Sequence, residues 1–200
     1  MLNVFKNKKN DFHDIQNHAN KINMFGMWIY LMSDCILFAT MFTVYFVMSR
    51  NFIFCHDFLN LKIVFLETIV LLLSSITYGL ASIYAKYKSN TSVLFFILCT
   101  LLLGTVFVFL EYYEFYHLRK LGYLPQSNGF LSSFFTLIGL HGAHVVVGLL
   151  WMVSIIFQLC KYNVNNFIYT RIMCLGLFWH FLDIIWICIF TTVYLFGKIK

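Results

Sequence analysis

The sequence is poor in proline and in charge. Its 200 residues include one proline, and only 11% are charged, against roughly a quarter in a typical soluble domain. A chain with so little charge cannot cover a water-facing surface, whereas long helices in lipid need neither charge nor proline. With 61% hydrophobic residues and a mean hydropathy of +0.81, the composition predicts an integral membrane protein.

The motifs of several chemistries are also missing. The six cysteines form no C-x-x-C pair, which argues against a disulfide or zinc framework and against covalent haem attachment. The sequence has no glycine-rich phosphate loop and no nucleophile elbow. The net charge of +6 is spread over the loops, which indicates membrane anchoring rather than nucleic-acid binding. We therefore expect no catalytic residues in this chain.

Five apolar segments are close to, or longer than, the roughly 20 residues that cross a bilayer. They cover residues 25–48, 61–84, 92–110, 130–160 and 172–196. We predict an all-α fold, an integral membrane bundle of five transmembrane helices within residues 24–197. A polar segment, residues 1–23, precedes it and lacks the features of a signal peptide. Eight lysines and arginines flank the spans on the N-terminal side and six on the other, which predicts a cytoplasmic N-terminus and a periplasmic C-terminus.

Polar side chains within these apolar segments are informative, because a charged residue at the centre of a membrane helix costs about 2.5–3.5 kcal/mol on insertion scales. At helical spacing they fall on narrow faces, which we expect to point toward protein. Trp179, His180, Asp183 and Trp186 share about a third of the circumference of the last helix. The candidate positions, structural or proton-related, are Asp34, Glu67, Glu111, Glu114, His141, His144, His180 and Asp183.

Two further patterns predict where one segment lies in the membrane and where helices pack closely. The segment EYYEFYH (residues 111–117) suits the membrane interface, where tyrosines form an aromatic belt and carboxylates reach water. Small residues on the last two helices suit close helix approach. These are Gly139, Gly142, Gly148 and Gly176.

The residues alone leave three roles open for the histidines and Asp183. They could fix the register of the helices through hydrogen bonds, as buried polar groups in membrane bundles often do. They could bind a metal, since H-x-x-H at 141–144 and H-x-x-D at 180–183 offer four ligands. They could also support proton conduction, for which the buried carboxylates Asp34 and Glu67 are best suited.

Several motifs resemble subunit III of the haem-copper respiratory oxidases. HGAHVVVG (141–148), WHFLDIIW (179–186) and EYYE (111–114) are similar to its signature segments. GMWIYLMSDCILF (26–38) is similar to its first shared helix, and Asp34 stands where the family carries a buried carboxylate. LETIVLLLSSITYG (66–79), RIMCLGLFWHFLD (171–183) and the aspartate itself resemble subunit 3 of the bacterial cytochrome o (bo-type) ubiquinol oxidases in particular.

The resemblance implies a non-catalytic subunit without catalytic, cofactor or metal sites, in the bacterial inner membrane. Haem b, haem o, copper and ubiquinol would bind to the partner catalytic subunit I. The complex would oxidise ubiquinol, reduce oxygen to water and pump protons, and this subunit would support assembly, phospholipid binding and sustained proton uptake. The implied partners are subunit I, other oxidase subunits and phospholipid, with no nucleic acid. From other classes, a small proton or cation transporter and an intramembrane metalloenzyme remain as alternatives.

Overall fold

The computed structural model describes residues 2–49, 61–122, 126, 128–162 and 165–195, without the side chains of residues 2–20, 61, 62, 166 and 195. In these residues the chain forms five α-helices and no strand. The helices are α1 (Leu2–Ser49), α2 (Leu61–Lys86), α3 (Asn90–Lys120), α4 (Gly129–Lys161) and α5 (Asn166–Ile189), and a π-helical segment (Phe190–Leu195) continues α5. Each of the five is long and apolar enough to cross a membrane, which confirms the predicted fold class.

The helices extend beyond the predicted spans at several ends. α1 runs without a break from Leu2, so residues 2–23 of the polar segment and the first span belong to one helix. α3 continues past residue 110 to Lys120 and carries the EYYE segment inside the helix. α5 begins at Asn166 rather than at 172, while residue 196 lies outside the described residues. The division into segments 1–23 and 24–197 stays a prediction.

The helices pack as an arc around α5. α2, α3, α4 and α1 lie side by side in that order, and α5 packs against α2, α4 and α1. Over the described residues, α1 and α2 form the two ends of the arc and make no extended contact with each other. In α5, 61% of the residues of the membrane-spanning stretch are buried, compared with 22–33% in the other spans. The central helix is therefore the one that carries WHFLDIIW.

Candidate functional site: the buried polar interior

Trp179 of α5 fits a slot between two glycines. A Cβ atom on Gly104 of α3 would lie 3.0 Å from Cη2 of Trp179, and one on Gly148 of α4 would lie 3.1 Å from its Cζ3. These distances are tighter than ordinary van der Waals contact. The indole Nε1 donates a hydrogen bond to Oγ of Ser74 on α2, at 3.1 Å. Trp179 thus joins α5 to three other helices.

Trp186, two turns further along α5, repeats the same arrangement. Its Nε1 donates to Oγ1 of Thr68 on α2 at 3.2 Å. Its ring lies edge-on to Phe107 of α3, with ring centroids 4.8 Å apart, and 5.2 Å from the ring of His141 on α4. Both indoles are fully buried, and both use a hydroxyl of α2 as acceptor. The two tryptophans therefore form one continuous seam between α5 and the helices around it.

The other polar residues of WHFLDIIW occupy different environments. Asp183 is buried, and neither carboxylate oxygen has a hydrogen-bond partner within the described residues. Nδ1 of His180 lies 3.6 Å from Oδ2 of Asp183 and shares a 2.8 Å hydrogen bond with Oγ of Ser75. The side chain of His180 is 46% exposed, so the expectation that this whole face points into the bundle is wrong at His180. The reason is its helical phase, which turns it into the gap between α1 and α2.

Asp34 and the histidines of HGAHVVVG connect α1 to α4. Asp34 is buried, and its Oδ2 lies 3.6 Å from Nε2 of His144, which is too long for a hydrogen bond but close enough for a charge interaction. Nδ1 of His144 donates to the carbonyl of Leu140 at 2.8 Å. His141 is fully buried beside Phe38, Phe107 and Trp186, and neither ring nitrogen has a partner in the described part of the chain. His144 therefore contacts polar groups of α1 and α4, whereas His141 packs against aromatic rings.

Three carboxylates meet in the half of the bundle opposite the N-terminal ends of α1, α3 and α5. Glu67 of α2 lies close enough to Glu111 and Glu114 of α3 for their charges to interact. All three side chains are buried, which corrects the expectation that the carboxylates of EYYEFYH reach water. Tyr194, in the π-helical segment after α5, donates from its hydroxyl to Oε2 of Glu114 at 3.1 Å. We call Glu67, Glu111, Glu114 and Tyr194 the acidic cluster.

The rest of EYYEFYH behaves differently from its carboxylates. Tyr112, Tyr113 and Tyr116 are exposed, as expected for side chains at a membrane interface. A helix turns by 100° per residue, so Glu111 and Glu114 share the face that points toward α2 and α4 while the tyrosines point outward. On that inner face, the Glu111 carboxylate occupies the space that a Cβ of Gly142 would need, with Oε1 and Oε2 at 2.5 and 2.6 Å from it.

The four ligands of the metal hypothesis do not come together. His144 pairs with Asp34, and His180 with Asp183, on different sides of α5. Over the described ranges, no three His, Cys, Asp or Glu side chains are grouped so that they could hold a metal ion. The described cysteines are free, and Cys55 lies outside the described residues. Within the described residues, the interior provides separate polar contacts at different depths: Asp34 with His144 lies between two helices, and His180 with Asp183 lies within α5.

Comparison with known proteins adds the family. Residues 8–198 match the family described as cytochrome c oxidase subunit III. The chain is 49% identical to cytochrome bo(3) ubiquinol oxidase subunit 3 of Buchnera aphidicola subsp. Schizaphis graminum over 180 residues, which is 88% of this chain and 95% of that protein. The chain belongs to the subunit III family. Proteins of the same name from Pseudomonas putida (46%; 90% of this chain, 88% of that one) and Buchnera aphidicola subsp. Acyrthosiphon pisum (43%; 98% and 97%) agree.

Within this subunit III fold, sequence reasoning missed several functional contacts. The acceptor Thr68 and the donor Tyr194 carried no motif signal: Thr68 lies one residue after Glu67, and Tyr194 lies eight residues after Trp186 in the π-helical segment. The expectation that glycines on α4 and α5 allow close packing is correct at three positions. An added Cβ would lie 3.1 Å or less from Glu111 at Gly142, from Trp179 at Gly148 and from Tyr78 at Gly176. At each, the close neighbour is a side chain rather than a backbone. At Gly139 the nearest atom is 3.9 Å away, so nothing there requires glycine.

A cavity of about 540 Å³ opens at the opposite end of the bundle from the acidic cluster. Arg171 of α5 lines it, bonded through Nη1 to Oε1 of Gln158 on α4 at 2.6 Å and stacked 4.3 Å over the ring of Phe167. The remaining lining is mostly apolar and comes from α1, α4 and α5, including Tyr30 and Trp151. An arginine at the mouth of an apolar cavity near a membrane surface is suited to an anionic headgroup with acyl chains.

Proposed function

We propose that this chain is the third subunit of a bacterial bo-type ubiquinol oxidase. In that complex, partner subunit I holds haem b, haem o, copper and ubiquinol, and oxidises ubiquinol while reducing oxygen to water and pumping protons. The observation that carries the proposal is the tryptophan seam: the family motif WHFLDIIW is used for packing, with both indoles bonded to hydroxyls of α2. The named relatives, which are subunits 3 of ubiquinol oxidases, support the choice of electron donor.

The contribution of the chain is structural support of the complex, without catalytic residues or cofactors of its own. Asp34 and His144 link α1 to α4, and the acidic cluster links α2, α3 and the end of α5. We assign the buried polar positions to helix packing and, for Asp34 in particular, to sustained proton uptake by the complex. The setting is the inner membrane, with the N-terminus in the cytoplasm, in line with the charge distribution of the loops.

The Arg171 cavity supports the phospholipid part of the proposal. Its apolar walls suit acyl chains, and the guanidinium retains donors beyond the bond to Gln158 for a phosphate. Arg171→Ala should reduce the anionic phospholipid that co-purifies with the oxidase, measured by mass spectrometry of the extracted lipid. Lys161→Ala is the control, because Lys161 ends α4 at the same end of the bundle but does not line the cavity. An equal loss in both variants would indicate a general charge effect.

Purification from the native membrane tests the main proposal. The tagged chain, extracted in mild detergent, should bring with it a large partner with the absorption spectrum of haems b and o and with ubiquinol oxidase activity. Deleting the chain should lower the amount or the turnover lifetime of that oxidase. A chain that purifies without haem protein, and moves protons or cations in liposomes by itself, would instead be a transporter. Stoichiometric metal on the isolated chain would support the metalloenzyme.

A further inference from the structure

One stripe of α5 is left uncovered between α1 and α2. It consists of the exposed residues His180, Ile184 and Ile187, with the partly buried Leu177 before them and the exposed Thr191 of the π-helical segment after them. These residues follow one another at intervals of three or four and therefore lie along one line. We call these residues the open stripe. Ile184 and Ile187 are 59% and 41% exposed, although α5 is otherwise the most buried of the five spans.

The open stripe carries a histidine at the middle of the membrane. The span of α5 runs from Phe167 to Tyr194, so His180 lies at its midpoint, about 20 Å from either end at 1.5 Å per residue. Phospholipid headgroups and water are out of reach at that depth. A half-exposed imidazole facing acyl chains would leave a strong hydrogen-bonding group unsatisfied, which is costly in hydrocarbon.

The hydrogen-bonding contacts of His180 within the chain use only Nδ1. Both the bond to Ser75 and the approach to Asp183 involve this atom. The ring of Tyr78 on α2 packs edge-on against the imidazole, with ring centroids 6.2 Å apart. Nε2 makes no hydrogen bond to a described residue, and nearly half of the side chain is exposed. The ring is thus held through Nδ1, while Nε2 is free to bond to a group outside the chain.

We infer that the open stripe is the docking surface for a transmembrane helix of another oxidase subunit, which hydrogen-bonds to Nε2 of His180. This inference rests on the proposed function, because it requires that the chain is part of a complex. The occupant is a protein helix rather than a lipid. Ile184 and Ile187, the neighbours of His180 on the open stripe, suit apolar packing against a helix. Only a protein supplies a fixed polar side chain at this depth for Nε2 to bond with.

Photo-crosslinking within the intact oxidase tests the inference. A benzophenone amino acid replaces Ile184, on the open stripe, or Phe109, which is 71% exposed on α3 at the far side of the arc. The Ile184 probe should crosslink to another subunit in complexes that retain haem, and the Phe109 probe should do so at least several-fold less. Crosslinks from Ile184 to lipid or quinone alone, in complexes with haem, would overturn the inference. Loss of haem protein from the unsubstituted chain would instead overturn the proposed function.

Substitution of His180 gives an independent test. His180→Leu should weaken retention of the chain by the oxidase in a detergent titration by about 3- to 30-fold, the range measured for interhelical hydrogen bonds in membranes. Ser75→Ala is the matched control, since it removes the bond inside the chain and leaves Nε2 in place. His180→Gln should restore part of the retention. If Ser75→Ala weakens retention as much as His180→Leu, the histidine serves the packing of its own chain and the inference falls.

Discussion

Replacing Gly104 by alanine should disrupt the slot that holds Trp179. The added Cβ would lie 2.7 Å from Cδ2 of Leu149 and 3.0 Å from Cη2 of Trp179. The leucine methyl is the end of a flexible side chain and can move. The indole cannot move freely, because Gly148 confines its other edge and Ser74 accepts its N–H. Displacing the indole is therefore the main cost.

The size of the effect follows from three contributions. Overpacking of a well-packed core costs about 1–3 kcal/mol. Loss of the indole hydrogen bond costs about 1 kcal/mol, which offsets the gain of about 1 kcal/mol in helix propensity when alanine replaces glycine. We expect Gly104→Ala to lower the free energy of unfolding by about 1–3 kcal/mol. Gly139→Ala is the matched control: its nearest neighbour is 3.9 Å away, so it should be neutral or stabilising by up to about 1 kcal/mol.

The assay is thermal or detergent-induced unfolding of the purified complex, followed by release of this subunit and by its tryptophan fluorescence. Buried indoles that become exposed should shift emission to the red at lower temperature in Gly104→Ala. If Gly104→Ala is as stable as Gly139→Ala, the slot is looser than its geometry implies, and the role assigned to Trp179 as the junction of four helices is wrong.

Three further substitutions test the polar interior. Tyr194→Phe should destabilise the subunit by about 1–3 kcal/mol in thermal unfolding, because it leaves the buried Glu114 without its donor, whereas Tyr113→Phe at an exposed position should have no effect. Glu67→Gln should leave stability unchanged or raise it, since the Glu67 oxygens have no hydrogen-bond partner in the described residues and face two other carboxylates; a large loss would contradict this. Asp34→Asn should allow normal assembly but change the rate at which the oxidase inactivates during turnover; identical activity through prolonged turnover would leave Asp34 a packing role only.

Helical phase and hydropathy predicted most of the fold, because both act locally. The five spans follow from long apolar segments. On α2, the helical spacing of Glu67, Leu71, Ser74 and Tyr78 places them on one face, and all four are buried. Close packing at the glycines was also predicted from the sequence. The atoms that approach Gly142, Gly148 and Gly176 most closely belong to a carboxylate and to aromatic rings rather than to the backbone of another helix. These successes need only the geometry of one helix, which the sequence determines directly.

The errors arose where the order of helices around the bundle decides the outcome. The sequence shows that His180 shares a face with Asp183, but not that the arc ends at α1 and α2 and leaves that edge of α5 uncovered. The burial of Glu111 depends in the same way on Gly142 of α4, which makes room for its carboxylate. The position of Glu111 and Glu114 along α3 was also misjudged. The predicted span ended at residue 110, whereas α3 continues to Lys120 and keeps both residues within the packed bundle.

The separation of the polar groups in the described part of the chain favours our proposal that they pack helices rather than form one reactive centre. A metal site needs its ligands within a few ångströms of one point, and a proton path needs polar groups in succession. Here Asp34 with His144 joins α1 to α4, His180 with Ser75 joins α5 to α2, and the acidic cluster joins α2, α3 and the end of α5, while aromatic rings surround the intervening His141. Each contact between helices specifies their register, because sliding either helix by one residue would leave a buried polar group without its partner. Among the histidines that the structure describes on α4 and α5, His180 is the most exposed, and the contact that we infer for its Nε2 is with another chain.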